Sequence, residues 1–417
     1  MFFRLIAVGI AILGFSGPYL SVWANGDDTA HSGNVTPRYL IKKGKSLFLK
    51  YCAPCHGVGG DGDGFNAKYL DKEPAELSDE DFISKKTNEQ IFRIIKMGGA
   101  GVKKSHLMPV FGNTFSEAEL WSLVAYVRNL ASDDSHPVSL PRKVKTERPK
   151  GHRVTKEDVE SFSKWLASEG QKQSIFKEGK RLFKKKKSCF ACHQVDGEGG
   201  SVGPELSRAG YWYRPEWIYA WIRNPQAYKP TTVMPNMGLQ PETAKVIAAY
   251  LWGLHEENEG VPEKWEPYLE AQGDPERGKK LFFDPEGKVN CSKCHRINGE
   301  GGNVGPDLSY VGSSRTRPFL LESMLKPKAV ITAGYSTVLI LTKHRKFITG
   351  IKVMEDDSGL DIIDKEGKEM YIHKEQIKKY KTQKISMMPG NFKDILDVQE
   401  VADILAYLKT LTLPEIS

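Results

Sequence analysis

The chain has 417 residues, 40% of them hydrophobic, with a formal net charge of +8. That apolar content can build packed cores and excludes a disordered polymer, and the length predicts two to four domains. The basic excess alone would admit nucleic acid as a partner, but the N-terminus argues otherwise.

Residues 1–24 read as a secretory signal. Arg4 supplies the positive start, Leu5 to Phe15 the apolar run, and Val22-Trp23-Ala24 a small-residue cleavage site. The apolar run is shorter than the ~20 residues a membrane span needs. An uncleaved membrane anchor is the alternative, since no charge falls between Arg4 and Asp27. Export to the periplasm follows, which removes nucleic acid from consideration. An acidic redox protein or an anionic membrane surface becomes the natural partner, approached by salt-sensitive steering.

Three units follow in the chain. The first is predicted over 37–131, the second over 156–255 and the third over 274–417. The proline- and charge-rich stretch 132–155 reads as one linker and 256–273, with Pro262 and Pro267, as another. Each unit carries one C-x-x-C-H: Cys52-Ala-Pro-Cys55-His56, Cys189-Phe-Ala-Cys192-His193 and Cys291-Ser-Lys-Cys294-His295. Together these consume all 6 cysteines. The spelling is the attachment signature of covalently bound haem c, in which the two thiols add to vinyl groups and the histidine ligates iron. Zinc knuckles usually come in adjacent pairs or with spaced histidines. A redox dithiol needs a βαβ setting that is missing here, and thioether bonds would leave no thiol for disulfides. Three haem c groups are therefore expected.

Upstream of each motif stands Gly-Lys-x-Leu-Phe, beginning at Gly44, Gly179 and Gly278. Downstream, each unit closes on a helical stripe: Leu123, Tyr126, Val127 and Leu130; Ile247, Tyr250, Leu251 and Leu254; Ile404, Tyr407, Leu408 and Leu411. Spacing of i, i+3, i+4, i+7 marks a buried helix face. A glycine inside a helix costs about 1 kcal/mol against alanine, so the three glycines are expected where opening and closing helices cross. A short amphipathic helix is expected between Lys156 and Gly170, leading into the second unit.

The sixth iron ligand separates functions: methionine with histidine raises the potential and suits electron transfer, while an open position suits catalysis. Each unit offers a Met-Pro after its motif, at Met108-Pro109, Met234-Pro235 and Met388-Pro389. Met237 and Met387 are the nearest competitors. His106, His255, His344 and His373 form a rival set, whereas His31, His136 and His152 fall in segments read as flexible. The glycine-rich runs Gly57 to Gly64, Gly197 to Gly203 and Gly299 to Gly305 lack the P-loop lysine and its preceding strand. They read as loops packed around a haem edge. Lys184 to Lys187, beside Cys189, are a candidate docking patch.

The third unit departs from the pattern. His295 and Met388 are 93 residues apart (388 − 295), against 52 (108 − 56) and 41 (234 − 193) in the others. The excess, at about 333–383, holds β-branched runs at Tyr335 to Thr342, Phe347 to Met354, Leu360 to Asp364 and Glu369 to His373. Turn signals separate them, which predicts a small inserted β-barrel or sheet. Lys374, Lys378, Lys379, Lys381 and Lys384 make its end basic.

Helices crossing over a haem, repeated three times, resemble the class I c-type cytochrome fold over nearly the whole mature chain. The fold class is therefore mainly α, with three tandem cytochrome c-like domains and a β insertion in the third. The resemblance implies Met108, Met234 and Met388 as iron ligands opposite His56, His193 and His295. It also implies that a proline carbonyl in Gly203-Pro204-Glu205-Leu206 and in Gly305-Pro306-Asp307-Leu308 accepts the ligating histidine's N–H, fixing the ring. Pro74 is the candidate for that role in the first unit. Residues 275 to 413, with Gly334-Tyr335 and Ser386-Met387-Met388-Pro389 around the strands, resemble the C-terminal haem domain of planctomycete-type dehydrogenases. That likeness implies redox work but no substrate.

These observations predict a periplasmic triheme cytochrome passing electrons from a dehydrogenase or quinol-oxidising complex to a downstream acceptor. Membrane association is possible through such a complex. No Ser-His-Asp set or carboxylate pair supplies a catalytic residue. The alternative is a peroxidase-like multihaem enzyme with one open iron, the third unit being its candidate, and a redox sensor is a more distant third reading.

Overall fold

The computed structural model describes residues 36–255, 262–332, 334–355 and 358–416. The predicted signal and His31 lie outside the described residues. The protein is mainly helical, at 46% helix, with a small five-stranded antiparallel sheet and two two-stranded hairpins among the described residues. No helix among the described residues is long and apolar enough to cross a membrane.

The same helix pair is built three times. Opening helices run over Pro37–Tyr51, Gln173–Lys185 and Pro275–Phe283, and closing helices over Glu117–Leu130, Pro241–Trp252 and Val398–Thr410. Their starts are written locally. Thr36 accepts from the amide of Tyr39 ahead of Pro37, and Asp274 caps the helix that begins at Pro275. Ser116 with Glu119, and Asp397 with Glu400, form reciprocal capping boxes on two closing helices. Such caps satisfy amides that have no partner inside the helix.

The glycines sit at the crossings. A Cβ on Gly44 would lie 1.9 Å from Ser122 O, on Gly179 2.4 Å from Tyr250 Cβ, and on Gly278 1.9 Å from Asp403 O. Four residues on, a phenylalanine meets the closing-helix tyrosine each time. Ring centroids are 5.2 Å apart for Phe48–Tyr126, 5.6 Å for Phe183–Tyr250 and 5.8 Å for Phe282–Tyr407. Three apolar cores grow from these pairs. Leu40, Phe115 and Val124 join the first, Phe162, Tyr219 and Ile247 the second, and Leu321, Val401 and Ile404 the third.

The connecting stretches are more ordered than their composition suggests. In 132–155, Val138 is buried in the first core and Val154 in the second. The second expected linker folds into short helical turns over Glu263–Trp265 and Glu266–Glu270, and Trp265 enters the third core. The lead-in helix to the second unit spans Lys156–Trp165 and ends in a π-helical turn at Leu166–Gly170.

The insertion is a five-stranded antiparallel sheet, not a closed barrel. Its strands are Thr337–Thr342, Phe347–Glu355, Gly359–Ile363, Glu369–His373 and Ile377–Gln383. In spatial order these run fourth, third, second, first, fifth. The fifth strand, Ile-Lys-Lys-Tyr-Lys-Thr-Gln, shows in the sequence only as a basic stretch. It is an edge strand with exposed lysines, and charge at an edge discourages further strand pairing. Val338, Ile340, Leu360 and Ile362 bury one face of the sheet. Ile351 and Ile363 pack instead with Val304 and with Cys294 of the third C-x-x-C-H motif.

The second and third units are paired about an approximate two-fold axis. Tyr213 and Arg315 form an isolated antiparallel bridge. Arg214 N donates to Ser314 O at 3.2 Å, and Thr316 N to Trp212 O at 3.4 Å. Every equivalence here is an offset of 102 (315 − 213, 314 − 212, 316 − 214), the offset that also separates Cys189 from Cys291.

Candidate functional site

Each motif is wound into one helical turn. The histidine N–H donates to the first cysteine's carbonyl: His56 to Cys52 O at 2.9 Å, His193 to Cys189 O at 3.0 Å, and His295 to Cys291 O at 2.9 Å. Positions i, i+3 and i+4 of a turn share one face. That is why two thiols and an imidazole at this spacing can grip one planar group.

The rings are held from behind. His193 Nδ1 donates to Pro204 O at 2.8 Å and His295 Nδ1 to Pro306 O at 2.8 Å, the two prolines the family likeness points to. In the first unit the acceptor is Ala75 O at 2.9 Å and not Pro74. There Pro74 O instead lies 2.9 Å from where a Cβ on Gly62 would sit, so the longer loop shifts the acceptor by one residue. With Nδ1 occupied, Nε2 is the nitrogen left for iron. A Cβ on Gly203 would lie 2.4 Å from His193 Cε1, and one on Gly305 2.6 Å from His295 Cε1. Only glycine allows the ring to pack so closely against the loop. Gly200 and Gly302 likewise press on the motif backbone, at Ala191 O and Lys293 O.

Burial sets the protonation of these groups. It pushes the Cys52, Cys189 and Cys192 thiols up to about 12 and Cys291 to about 11. It also lowers all three histidines, against a smaller opposing effect of their carbonyl partners. Neutral imidazoles are ready ligands for a metal. No cluster of three His, Cys, Asp or Glu side chains able to cage an ion occurs among the described residues.

Each Met-Pro methionine shares a core with its own motif. Met108 packs in the first core with Cys52, Met234 in the second with Cys189, and Met388 in the third with Cys291. Met237 also borders the second core, while Met387 packs apart, beside Cys294 and Ile351. Trp221 Nε1 donates to Met234 Sδ at 3.0 Å. The rival histidines are placed elsewhere. His255, His344 and His373 are exposed, and His255 is bonded to Trp252 O at 2.8 Å. His106 is half-buried, and its carbonyl accepts from Ser188 Oγ. His136 pairs with Asp133, and His152 is exposed. Lys184 turns to Glu198 at 2.7 Å and lies over the Phe190 ring.

One residue with no signal in the sequence joins two motifs. Asn66 is fully buried. Its Nδ2 donates to Cys55 Sγ at 3.2 Å and to Ala191 O at 2.8 Å, and its Oδ1 accepts from Ser201 N at 2.7 Å. It occurs once, in the loop that differs most from the other two units, so no repeat pointed to it.

The arrangement fits a haem c in each unit: a thiol pair, a ring with Nε2 free, and glycine loops that admit a flat group. The haem would supply a one-electron change at iron.

Comparison with known proteins agrees. Residues 40–127 match the family "Cytochrome C oxidase, cbb3-type, subunit III", and residues 176–255 and 275–340 match the family "Cytochrome c". Over 91 residues the chain is 33% identical to cytochrome c oxidase subunit 2 of Alkalihalophilus pseudofirmus, covering 20% of this chain and 26% of that protein. Over 224 residues it is 27% identical to the Cbb3-type cytochrome c oxidase subunit FixP of Bradyrhizobium diazoefficiens, covering 51% of this chain and 60% of that protein. The chain thus spans 26% and 60% of these two relatives. A chain of the Kuenenia stuttgartiensis reducing HAO-like protein complex aligns at 17% identity and a TM-score of 0.19, covering 52% of this chain and 96% of that one. With C-x-x-C-H turns, anchored histidines and family matches falling on all three units, the chain is a c-type cytochrome built of cytochrome c domains.

Proposed function

We propose that the protein is an exported electron carrier holding three haem c groups, each tethered by one motif. His56, His193 and His295 would ligate iron on one side and Met108, Met234 and Met388 on the other. It would take electrons from a dehydrogenase or quinol-oxidising complex in the periplasm and deliver them to a downstream acceptor. The observation that carries this reading is the recurrence, in all three units, of a ring fixed at Nδ1 together with a Met-Pro methionine in the same core as the motif. Relatives named as oxidase subunits support a place within a larger redox assembly.

The chain's own contribution is positional. The cysteines would tether the haem, the Ala75, Pro204 and Pro306 carbonyls fix the imidazoles, and apolar cores border the sulfurs. Electron transfer needs no proton donor or nucleophile. A methionine-closed iron also leaves no position for a substrate.

Pyridine haemochrome analysis of the mature protein should give three haems per chain, and the reduced protein should not bind carbon monoxide. Colourless protein, or fewer than three haems, overturns the reading. Stoichiometric carbon monoxide binding at one iron would replace it with the peroxidase-like alternative.

A further inference from the structure

The edges of the three haem sites are treated differently by the fold. The side chain of Asn66 lies between the first two. Its amide spends both functions across the boundary: Nδ2 on Cys55 Sγ and on Ala191 O, Oδ1 on Ser201 N. Its backbone N–H donates to Pro54 O at 2.8 Å. Pro54 and Ala191 each immediately precede the second cysteine of their motif. Leucine could fill the volume but could neither donate nor accept, and a carboxylate could not donate.

Further contacts clamp the same pair of units reciprocally. Ser188, one residue before Cys189, donates to the carbonyl of His106, two residues before Met108. In return the Met234 loop is held by the first unit, with Asn236 N donating to Thr114 Oγ1 at 2.9 Å and Tyr51 OH to Thr232 O at 3.4 Å. The third unit has different neighbours at the corresponding edge. Cys294 packs with Val304, Ile351, Ile363 and Met387 under the inserted sheet.

We propose that Asn66 is a positioning residue for electron exchange between the first and second haem sites, holding their second-cysteine edges together so that each senses the other's charge. The third site, its edge covered by the sheet, titrates on its own. This rests on the three-haem reading. In the exchange, one electron would pass between the haem held by His56 and the haem held by His193. One iron is oxidised as the other is reduced, and no bond forms or breaks.

The test uses full-length, haem-loaded protein. Haem is counted first by pyridine assay, then a spectroelectrochemical titration is run with low-temperature EPR of the oxidised state. In the native protein, two of the three haems should show interacting midpoints and magnetic broadening, and the third neither. Asn66→Ala should keep three haems yet lose the interaction, leaving the third midpoint unmoved. Asn66→Ser keeps the loop small and polar and should show the same loss if the alanine variant folds poorly. Ser188→Ala, which breaks only the contact beside Met108, should retain the interaction. Three independent midpoints in native protein, or an unchanged interaction in a haem-loaded Asn66 variant, overturns the proposal. A native haem count below three would instead sink the reading beneath it.

Discussion

Tyr213 and Arg315 occupy the same position in two successive units and are bridged to each other. A contact between equivalent residues requires a local two-fold relation, so each unit presents one surface to its own copy. The Arg315 guanidinium lies 4.1 Å from the Tyr213 ring centroid and 4.7 Å from that of Phe319. Such stacking contributes about 0.5–2 kcal/mol, more as it is desolvated. Arg315→Ala should lower the denaturant midpoint of the second and third units by a loss in that range. Arg315→Lys should recover only part of it, because an ammonium lacks the planar face. Tryptophan fluorescence during urea unfolding would read both, and equal midpoints for alanine and native protein would discount the stack.

Alanine at the crossing glycines tests the helix packing. Gly278→Ala gains about 1 kcal/mol of helix propensity. Its new Cβ, however, falls 1.9 Å from Asp403 O. Overpacking of this kind costs about 1–3 kcal/mol, and a clash with backbone should place it at the upper end. The net sign is destabilising. Differential scanning calorimetry should show a lower transition for Gly278→Ala and for Gly44→Ala, whose Cβ would meet Ser122 O.

The proposed methionine ligands make separable predictions. Loss of a thioether ligand removes a contribution that raises the potential. Met388→Ala should lower one midpoint and leave the other two in place, whereas Met108→Ala and Met234→Ala should each lower the midpoint of its own haem, shift that of its coupled neighbour and leave the third unmoved. Met387→Ala should shift little, since Met387 packs beside Cys294 and outside the core that holds Met388. A redox titration in which Met387→Ala moves a midpoint and Met388→Ala does not would reverse that assignment.

Acid stability of the first unit should depend on Asp133. Burial alone would raise this carboxyl, but hydrogen bonds from Ser135 and the Arg128 guanidinium, 2.5 Å away, hold it below its ordinary value. A depressed folded pKa contributes stability that is present above the unfolded value, ~3.9 for aspartate, and lost as pH falls through the folded one. The first unit should therefore lose this contribution progressively as pH falls through and below the range where ordinary carboxylates protonate. Arg128→Ala strands a buried carboxylate, and breaking one side of a buried pair costs about 3–5 kcal/mol. Urea melts of that variant at neutral pH and near pH 4 should differ less than those of the native protein. Parallel pH dependence in both would contradict the role.

What could be read in the sequence was what the chain repeats. Gly44, Gly179 and Gly278, the phenylalanines four residues on, and the tyrosines of the closing helices recur because the same crossing is built three times. The histidine-to-proline bonds are legible wherever Gly-Pro recurs, and in the first unit, where the loop is longer, Ala75 takes the role in place of Pro74. Contacts between units left no such trace. Asn66 is a single polar residue in an unrepeated loop, and nothing local says that its partners lie 125 and 135 residues away. The fifth strand was hidden for a different reason: an edge strand exposed on both faces has no need of alternating apolar residues, and Lys378, Lys379 and Lys381 masked it. The pairing of Tyr213 with Arg315 was present only as an offset, 102, whose meaning needs three dimensions.

Leu413 and Ile416, from the far end of the third unit, are buried in the core of the second. Ser313 Oγ holds them there, donating to Ile416 O at 2.6 Å and accepting from Leu413 N at 2.8 Å. The middle unit is thus incomplete until translation has passed residue 416. The second and third units must therefore finish folding together, because one holds the last turn of the other's chain.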